Sequence, residues 1–365
     1  MFSVWAPKAK NVELELEGAR HPMERHGEWF RVATPRIEGA RYGFCVDGSD
    51  VFPDPRSRRQ PDGIHGLSQV WMKDEPTQTL GRPLKGEVIY ELHVGTFTPA
   101  GTLDSAIERL DDLVDLGVTA VELLPVQPFG GQRNWGYDGV SWHAVSEVYG
   151  GPDALARFVE TAHAKGVAVI LDVVFNHFGP DGNYTGVFGP YTSGGSTGWG
   201  EVINIQGALS DEVRAYILDA VAIWTKEFGI DGLRLDAVHA LDDVGAVSIV
   251  EQIRDVAAPS YVIAETDQND PKYTETFVVA QWNETSTMRS TLRCQGRITR
   301  TTRISERSRC WPPRSSVCSG TTAAFPASAS APTAGSWRIL ITRSLWFIRP
   351  RMIRQATALL VTGRA

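Results

Sequence analysis

Strands alternate with helices from about residue 86 onward, and this alternation limits the possible folds more than any other feature of the chain. Short apolar runs are predicted to form strands over residues 88–92, 119–124, 167–172, 232–236, 261–265 and 277–280. The intervening segments carry helical stripes, over residues 102–116, 152–165, 211–228 and 244–256. Buried strands that alternate with helices form a parallel sheet. Six such strands favour a (β/α)8 TIM-type barrel over an open sheet, and the pattern ends about two repeats short of closure.

A different pattern precedes the barrel. Residues 2–7 and 12–16 alternate apolar and polar side chains, as half-buried strands do. Residues 55–69 are polar and contain Pro-Asp-Gly, which predicts a loop. We therefore expect a small β-sandwich over residues 1–80, followed by a catalytic barrel over residues 86–283.

The composition argues against several classes of protein. The chain has no apolar run near the roughly 18 residues that a membrane-spanning helix needs, and no N-terminal secretion signal, so we expect a cytoplasmic protein. The four cysteines have no CxxC spacing, which supports neither a disulfide framework nor a metal site. A net charge of -7 argues against nucleic-acid binding. No sequence feature indicates a cofactor.

Three of the predicted strands end in an acidic residue, namely Asp172, Asp236 and Glu265. A single Asp in this position would most often cap the helix that follows. In a barrel, however, the carboxyl ends of all strands meet at one face, where reactive groups are found. Paired carboxylates at such a face suit glycosidic cleavage, in which one attacks the sugar carbon and the other protonates the leaving oxygen.

Neighbouring residues assign the two roles. Arg234 lies two residues before Asp236, so both side chains leave the same face of the strand. A nearby cation keeps Asp236 ionised, as a nucleophile requires. Desolvation at the end of an apolar strand favours the protonated form of Glu265 and hence the acid role. Asn176, His177 and His239 follow strand ends and are placed to hold sugar hydroxyls.

These segments resemble conserved regions of the α-amylase superfamily of glycoside hydrolases. The matching segments are Asp-Val-Val-Phe-Asn-His over 172–177, Gly-Leu-Arg-Leu-Asp-Ala-Val-His over 232–239 and Ile-Ala-Glu-Thr over 263–266. The resemblance implies retaining hydrolysis of α-glucosidic bonds, with Asp236 as nucleophile and Glu265 as acid/base. It also implies that Asp172, Asn176, His177, Arg234 and His239 surround the sugar.

A fourth segment, Trp-Gly-Tyr-Asp over residues 135–138, resembles the part of that superfamily whose tyrosine stacks on the sugar in the cleavage subsite. The resemblance adds Tyr137 and Asp138 to the expected substrate-binding residues. Aromatic rings suit the apolar faces of sugars.

Longer motifs resemble one branch of the superfamily, which releases trehalose from maltooligosyl trehalose by cutting the α-1,4 bond next to the trehalose end. They lie at residues 90–97, 135–140, 176–184 and 264–270, and residues 2–7 resemble a starch-binding-like module. The implied partner is maltooligosyl trehalose or a related α-glucan. Two alternatives stay open: a glycogen-branching or isoamylase-type debranching enzyme, and a non-catalytic glucan-binding relic.

The chain changes character at Glu284. Residues 284–365 hold 14 Arg, no Lys, no Asp and two Glu, and they show no sustained helical or strand period. A basic disordered tail is one interpretation. The other is translation in the wrong frame of a GC-rich gene, because a shifted frame from Glu284 can encode DVHHALHVALSGENHAYYEDF. We predict a segment that is out of frame and disordered.

The change of frame bears on the chemistry. The superfamily's third carboxylate is an Asp in an Asn-His-Asp-like segment after the seventh strand. Such a segment arises here only in the shifted reading, over residues 351–354. The chain as it stands would lack this group and the last barrel repeats, and an open barrel exposes strand edges. We therefore expect it to be unstable and nearly inactive.

Overall fold

The computed structural model describes residues 1–196, 198–266, 268, 270–282, 338–343 and 357–362. Within these ranges the chain forms two antiparallel sheets followed by a barrel. The helices that the structure describes include none long and apolar enough to cross a membrane.

The N-terminal module consists of eight short strands. They are β1 (Phe2–Trp5), β2 (Val12–Leu16), β3 (Ala19–Pro22), β4 (Glu24–His26), β5 (Trp29–Val32), β6 (Arg41–Val46), β7 (Val51–Phe52) and β8 (Ser68–Gln69). One sheet has the order β1-β5-β4 and the other β3-β2-β6-β7, with β8 beside β6. The sheets share one apolar core, in which the rings of Phe2 and Tyr42 lie 4.9 Å apart.

The module is held against the barrel by the polar loop that follows β7. Arg59 donates from Nε to Glu147 at 2.8 Å and from Nη1 to Asp153 at 2.9 Å. Arg58 forms a similar pair with Glu227 at 2.8 Å. The sequence predicts a loop here, but the structure adds that its guanidinium groups bind acidic residues of the barrel's helical layer.

The barrel region contributes a second series of strands. They are β9 (Val88–Leu92), β10 (Ala120–Leu123), β11 (Ala168–Val173), β12 (Thr192–Ser196), β13 (Glu201–Ile203), β14 (Gly232–Leu235), β15 (Tyr261–Glu265) and β16 (Ala280–Trp282). β12 and β13 pair as a separate hairpin. The other six pair in parallel in the order β9-β10-β11-β14-β15-β16. This order is that of the predicted barrel.

Helices connect these strands. They are α1 (Val94–Phe97), α2 (Leu103–Ile107), α3 (Leu110–Asp115), α4 (Gly151–Ala164), α5 (Thr185–Phe188), α6 (Ser210–Ala222) and α7 (Ile249–Ala257). The helix predicted over residues 102–116 is divided into α2 and α3. The predicted start of α7 at Val244 is wrong, because Ser248 caps the helix by accepting a hydrogen bond from the Val250 amide at 3.3 Å.

The end of the barrel differs from eight parallel repeats. The predicted sixth strand begins at Ala280 instead of residue 277, since Tyr273–Phe277 forms a helical turn. Two more strands, β17 (Arg338–Arg343) and β18 (Thr357–Thr362), lie in the segment predicted to be disordered, and the rest of that segment lies outside the described residues. β17 pairs with β16 in parallel, and β18 runs antiparallel to both β17 and β9.

These pairings close the ring, so the exposed strand edges expected from the sequence are covered in the structure. The six parallel strands confirm an incomplete TIM-type barrel. A seventh and an eighth parallel βα repeat are absent from the part of the chain that the structure describes.

Side chains alternate between the inside and the outside of the barrel. A small apolar cluster shares the inner strand faces with the strand-end acids and contains Ile89, Ala120, Ala168, Ile170, Tyr261, Ile263 and Ala280. The outer faces join the large core shared with the helices. The apolar inner cluster thus forms the floor beneath a polar layer at the carboxyl ends of the strands.

Candidate active site

The carboxyl ends of β11, β14 and β15 bring the predicted acids together. Parallel pairing sets Asp172 opposite Arg234 and Arg234 opposite Ile263. Asp236 follows β14 directly, and Glu265 is the last residue of β15. The three carboxylates therefore meet at one face of the barrel, as the sequence predicts.

Arg234 is the centre of this group. Its Nη1 lies 2.8 Å from both carboxylate oxygens of Asp172 and 3.0 Å from Oδ1 of Asp236. Its Nη2 lies 3.9 Å from Oε2 of Glu265. The ring of Trp282 lies on the guanidinium, with its centroid 5.9 Å from Cζ. One buried cation thus serves three carboxylates and lies over the face of an aromatic side chain.

Asp172 is the most deeply buried of the acids, with 1% of its surface exposed. The Tyr137 hydroxyl donates to its Oδ2 at 2.8 Å. Burial raises the pKa of Asp172 to about 7, although Arg234 and Tyr137 both favour the ionised form. Asp172 is therefore a support for Arg234 inside the barrel and not a helix cap.

Asp236 is held on two sides. Asn176 donates from Nδ2 to the Asp236 carbonyl at 2.8 Å and to its Oδ2 at 3.0 Å, while Arg234 contacts Oδ1. The Asp236 amide donates to the Val173 carbonyl at 3.1 Å. These contacts fix the carboxylate and stabilise its charge, which is the arrangement a nucleophile needs.

Glu265 lies in surroundings that are more polar than the end of an apolar strand suggests. One fifth of its side chain is exposed, and its Oε2 accepts a hydrogen bond from the Ala237 amide at 2.7 Å. Ala237 has a positive φ of 42°, an uncommon conformation for a residue with a Cβ. This backbone conformation directs the amide at the acid, a contact that the sequence pattern did not predict.

The cleft above these acids has a volume of about 670 Å³, within the usual range for small-molecule sites. Its lining includes four of the seven predicted substrate-binding residues, both catalytic candidates and one further aromatic residue. They are Tyr137, Asp138, His177 and His239, then Asp236 and Glu265, and Trp199. Asp172, Arg234 and Asn176 lie beneath this lining. The nine predicted residues therefore form one site in two layers.

Further contacts fix the rim of the cleft. His177 hydrogen-bonds through Nδ1 to Asn176 and through Nε2 to the Tyr137 carbonyl at 3.1 Å. Asn134 donates to Asp138 at 2.6 Å. His239 lies on the short 3-10 turn Val238–Ala240.

The sequence analysis missed Trp199, which is 59% exposed and lies in the loop between β12 and β13. A lone tryptophan in a glycine-rich segment was the available signal. Residues 351–354, over which the shifted frame places the third carboxylate, lie outside the described residues.

Comparisons with known proteins agree with this geometry. Residues 50–186 match the family model described as "Alpha amylase, catalytic domain". The malto-oligosyltrehalose trehalohydrolase of Mycobacterium tuberculosis (strain CDC 1551 / Oshkosh) is 50% identical over 309 residues, covering 78% of this chain and 53% of the relative. The enzyme of that name from Saccharolobus solfataricus is 44% identical over 280 residues, covering 74% of this chain and 50% of the relative.

A solved structure gives the same result. The crystal structure of a putative α-amylase from Salmonella typhimurium superimposes with a TM-score of 0.71 at 35% identity, covering 78% of this chain and 52% of that one. The chain spans about half the length of the curated relatives it matches. This chain belongs to the α-amylase superfamily of glycoside hydrolases, and within that superfamily it is similar to the malto-oligosyltrehalose trehalohydrolases.

Proposed function

We propose that this chain carries the catalytic centre of a retaining glycoside hydrolase that releases trehalose from maltooligosyl trehalose. The observation that carries the proposal is the convergence of Asp236 and Glu265 on one guanidinium at the floor of an open cleft. One carboxylate is fixed and charge-stabilised, and the other is partly exposed to the cleft. Two carboxyl groups so placed suit a double displacement at a glycosidic bond.

In the proposed reaction Asp236 attacks the anomeric carbon while Glu265 donates a proton to the departing glycosidic oxygen. A covalent glycosyl–enzyme forms and the sugar on the leaving side departs. Glu265 then takes a proton from water, which attacks the same carbon and releases Asp236. Arg234 stabilises the aspartate each time it becomes free.

We infer the substrate from the similarity of this chain to its relatives. Relatives at 50% and 44% identity are named malto-oligosyltrehalose trehalohydrolase, and their matched regions include residues of the cleft. For this chain we propose cleavage of the α-1,4 bond next to the trehalose end.

Product analysis tests this proposal. Maltotriosyl trehalose and branched glucan are incubated with the chain whose frame has been restored by one base near the Glu284 codon, and the products are separated by chromatography. Free trehalose from the first substrate supports the proposal. Altered branching of the glucan without trehalose would favour a branching or debranching enzyme, and glucan binding without cleavage would favour a non-catalytic relic.

We also propose that residues 284–365 are out of frame. The test compares the chain as it stands with a frame-restored chain, made by restoring one base in the gene near the Glu284 codon. We expect trehalose release from the frame-restored chain and very little from the chain as it stands. Equal turnover by both would overturn the proposal about the frame while leaving the proposed reaction intact.

Replacing the proposed acid tests its role. In the frame-restored chain we expect Glu265→Gln to lower the rate on maltotriosyl trehalose by about 10²- to 10⁴-fold, the usual contribution of a positioned acid. An α-glucosyl fluoride needs no protonation of its leaving group, so its cleavage step should be affected far less. Equal losses on both substrates in burst-phase kinetics would contradict the acid role of Glu265.

Tyr137→Phe tests the support of Asp172. The hydrogen bond from the Tyr137 hydroxyl favours the ionised form of Asp172. Removing the hydroxyl therefore raises the pKa of Asp172 further. A hydrogen bond to a charged group contributes about 1.5–3 kcal/mol, which corresponds to about one to two pH units. Because Asp172 must be ionised to hold Arg234, we expect the acidic limb of the pH profile of kcat/KM to move to higher pH. An unchanged limb would show that the hydroxyl does not support this carboxylate.

A further inference from the structure

Glu122 is a buried acid that the proposed reaction does not use. It lies on β10, is 1% exposed, and faces the interior of the barrel beside the apolar floor. Its Oε2 is buried and has no hydrogen-bond partner among the described residues. The polar contacts around Asp172 and Asp236 therefore do not extend to this oxygen.

Charged side chains face Glu122 from three other strands. Glu91 on β9 is its direct register partner, and Asp172 on β11 and Arg234 on β14 act on it electrostatically. The register partner on the β11 side is apolar, Ile170. Burial and the negative charge of Glu91 raise the pKa of Glu122 well above its ordinary value, and Arg234 opposes them only in part.

Arg234 already serves three other carboxylates. Its Nη1 bonds Asp172 and Asp236, its Nη2 faces Glu265, and its buried Nε has no hydrogen-bond partner among the described residues. An ionised Glu122 would add another buried anion to a group with one cation, with one oxygen unpaired. A buried charge without a partner is far more costly than a buried neutral acid.

We propose that Glu122 is a positioning residue that stays a neutral, proton-carrying acid beneath Arg234, which leaves the guanidinium committed to Asp172 and Asp236. Loss of this proton as the pH rises creates an anion that competes for Arg234. The catalytic consequence depends on the proposed function, whereas the bound proton does not.

The bound proton makes the stability of the folded chain depend on pH. An unfolded glutamate titrates near pH 4.3, so above that pH the folded chain holds a proton at Glu122 that the unfolded chain has lost. Stability is then fully present at low pH and falls as pH rises toward the raised folded pKa. Glu122→Gln removes this dependence. The ratio of the unfolding equilibrium constants, wild type over variant, should rise about tenfold per pH unit from about pH 5 upward.

Urea unfolding of the full chain and of Glu122→Gln over this pH range measures the ratio. The matched control is Glu75→Gln, an exposed glutamate, for which the ratio should stay constant. A constant ratio for Glu122→Gln as well would overturn the proposal, since Glu122 would then be ionised in the folded chain.

Infrared spectroscopy of ¹³C-glutamate-labelled chain gives a second measurement that needs no comparison of stabilities. Glu265 donates a proton in the proposed reaction, so the labelled chain carries Glu265→Gln throughout. At neutral pH we expect the carbonyl band of a protonated glutamic acid in this background, and its loss when Glu122→Gln is added. A band that persists with Glu122→Gln and disappears with Glu91→Gln would place the proton on Glu91 and refute the assignment.

Both measurements are independent of substrate. A bound proton without trehalose release from the frame-restored chain would therefore refute the proposed function alone, and trehalose release from that chain without a bound proton would refute this inference alone.

Discussion

Replacing Asp236 by Asn in the frame-restored chain is expected to lower kcat/KM on maltotriosyl trehalose by about 10⁴-fold or more, similar to the loss of one catalytic side chain in other hydrolases. The amide cannot attack the anomeric carbon, so the covalent step is lost. The fold should survive, because Asn keeps the shape of the side chain. It can still accept from Arg234, which lies 3.0 Å from Oδ1 in the native chain.

Stopped assays of trehalose release, combined with urea unfolding, separate chemistry from folding. The control is Asp242→Asn, a change of the same chemistry at an aspartate on the loop after His239, which bonds Gln206 at 2.7 Å. We expect near-native activity from this control. A loss of less than tenfold in Asp236→Asn would show that Asp236 is not the nucleophile.

Replacing Arg234 by Met should have the largest effect on stability. The change removes the cation from Asp172, which is buried, and from Asp236, which is mostly buried. Breaking a buried ion pair by removing one partner costs about 3–5 kcal/mol, because the remaining charge is uncompensated. Activity should fall together with stability, since neither Asp172 nor Asp236 keeps its position.

The pH dependence of the destabilisation by Arg234→Met tests whether the uncompensated charge of Asp172 causes it. Without Arg234 the pKa of Asp172 rises above its native value of about 7. At acidic pH the carboxyl group is protonated and its burial costs little, so the destabilisation should be smaller there than at pH 8. Urea unfolding at both pH values measures this difference.

The matched control for Arg234 is an exposed pair. In Arg157–Asp104 both side chains are 53% exposed, and an exposed ion pair contributes less than about 1 kcal/mol. Arg157→Met should therefore destabilise the chain only slightly. Equal destabilisation by both variants would contradict the role of Arg234 as the buried centre of the site.

The strands of the barrel and the acids at their ends could be predicted because buried parallel strands are short, apolar and clearly bounded. The bounds of β9 and β15 agree with the prediction to the residue. The prediction of one continuous helix over residues 102–116 was wrong, because the structure has two helices there. Thr102 and Ser105 form a capping box that starts α2, and the helix ends by residue 108 despite a continuing apolar stripe.

Other features depend on which elements meet in space, and local pattern does not contain that information. The arginines after β7 predict only a polar loop, although Arg59 binds two acids of the barrel region. Glu122 occupies an ordinary position in an apolar strand, and its burial beneath Arg234 follows from closure of the ring. The hydrogen bond from Ala237 to Glu265 depends on a positive φ that alanine seldom adopts.

Trapping the glycosyl–enzyme tests the central claim most directly. The frame-restored chain is treated with a fluorinated glucosyl fluoride that forms the covalent intermediate quickly and loses it slowly, and the labelled peptide is sequenced by mass spectrometry. Our account predicts one sugar per chain, attached to Asp236 and absent from Asp236→Asn. A label on another residue, or turnover of maltotriosyl trehalose with inversion and no label, would contradict it.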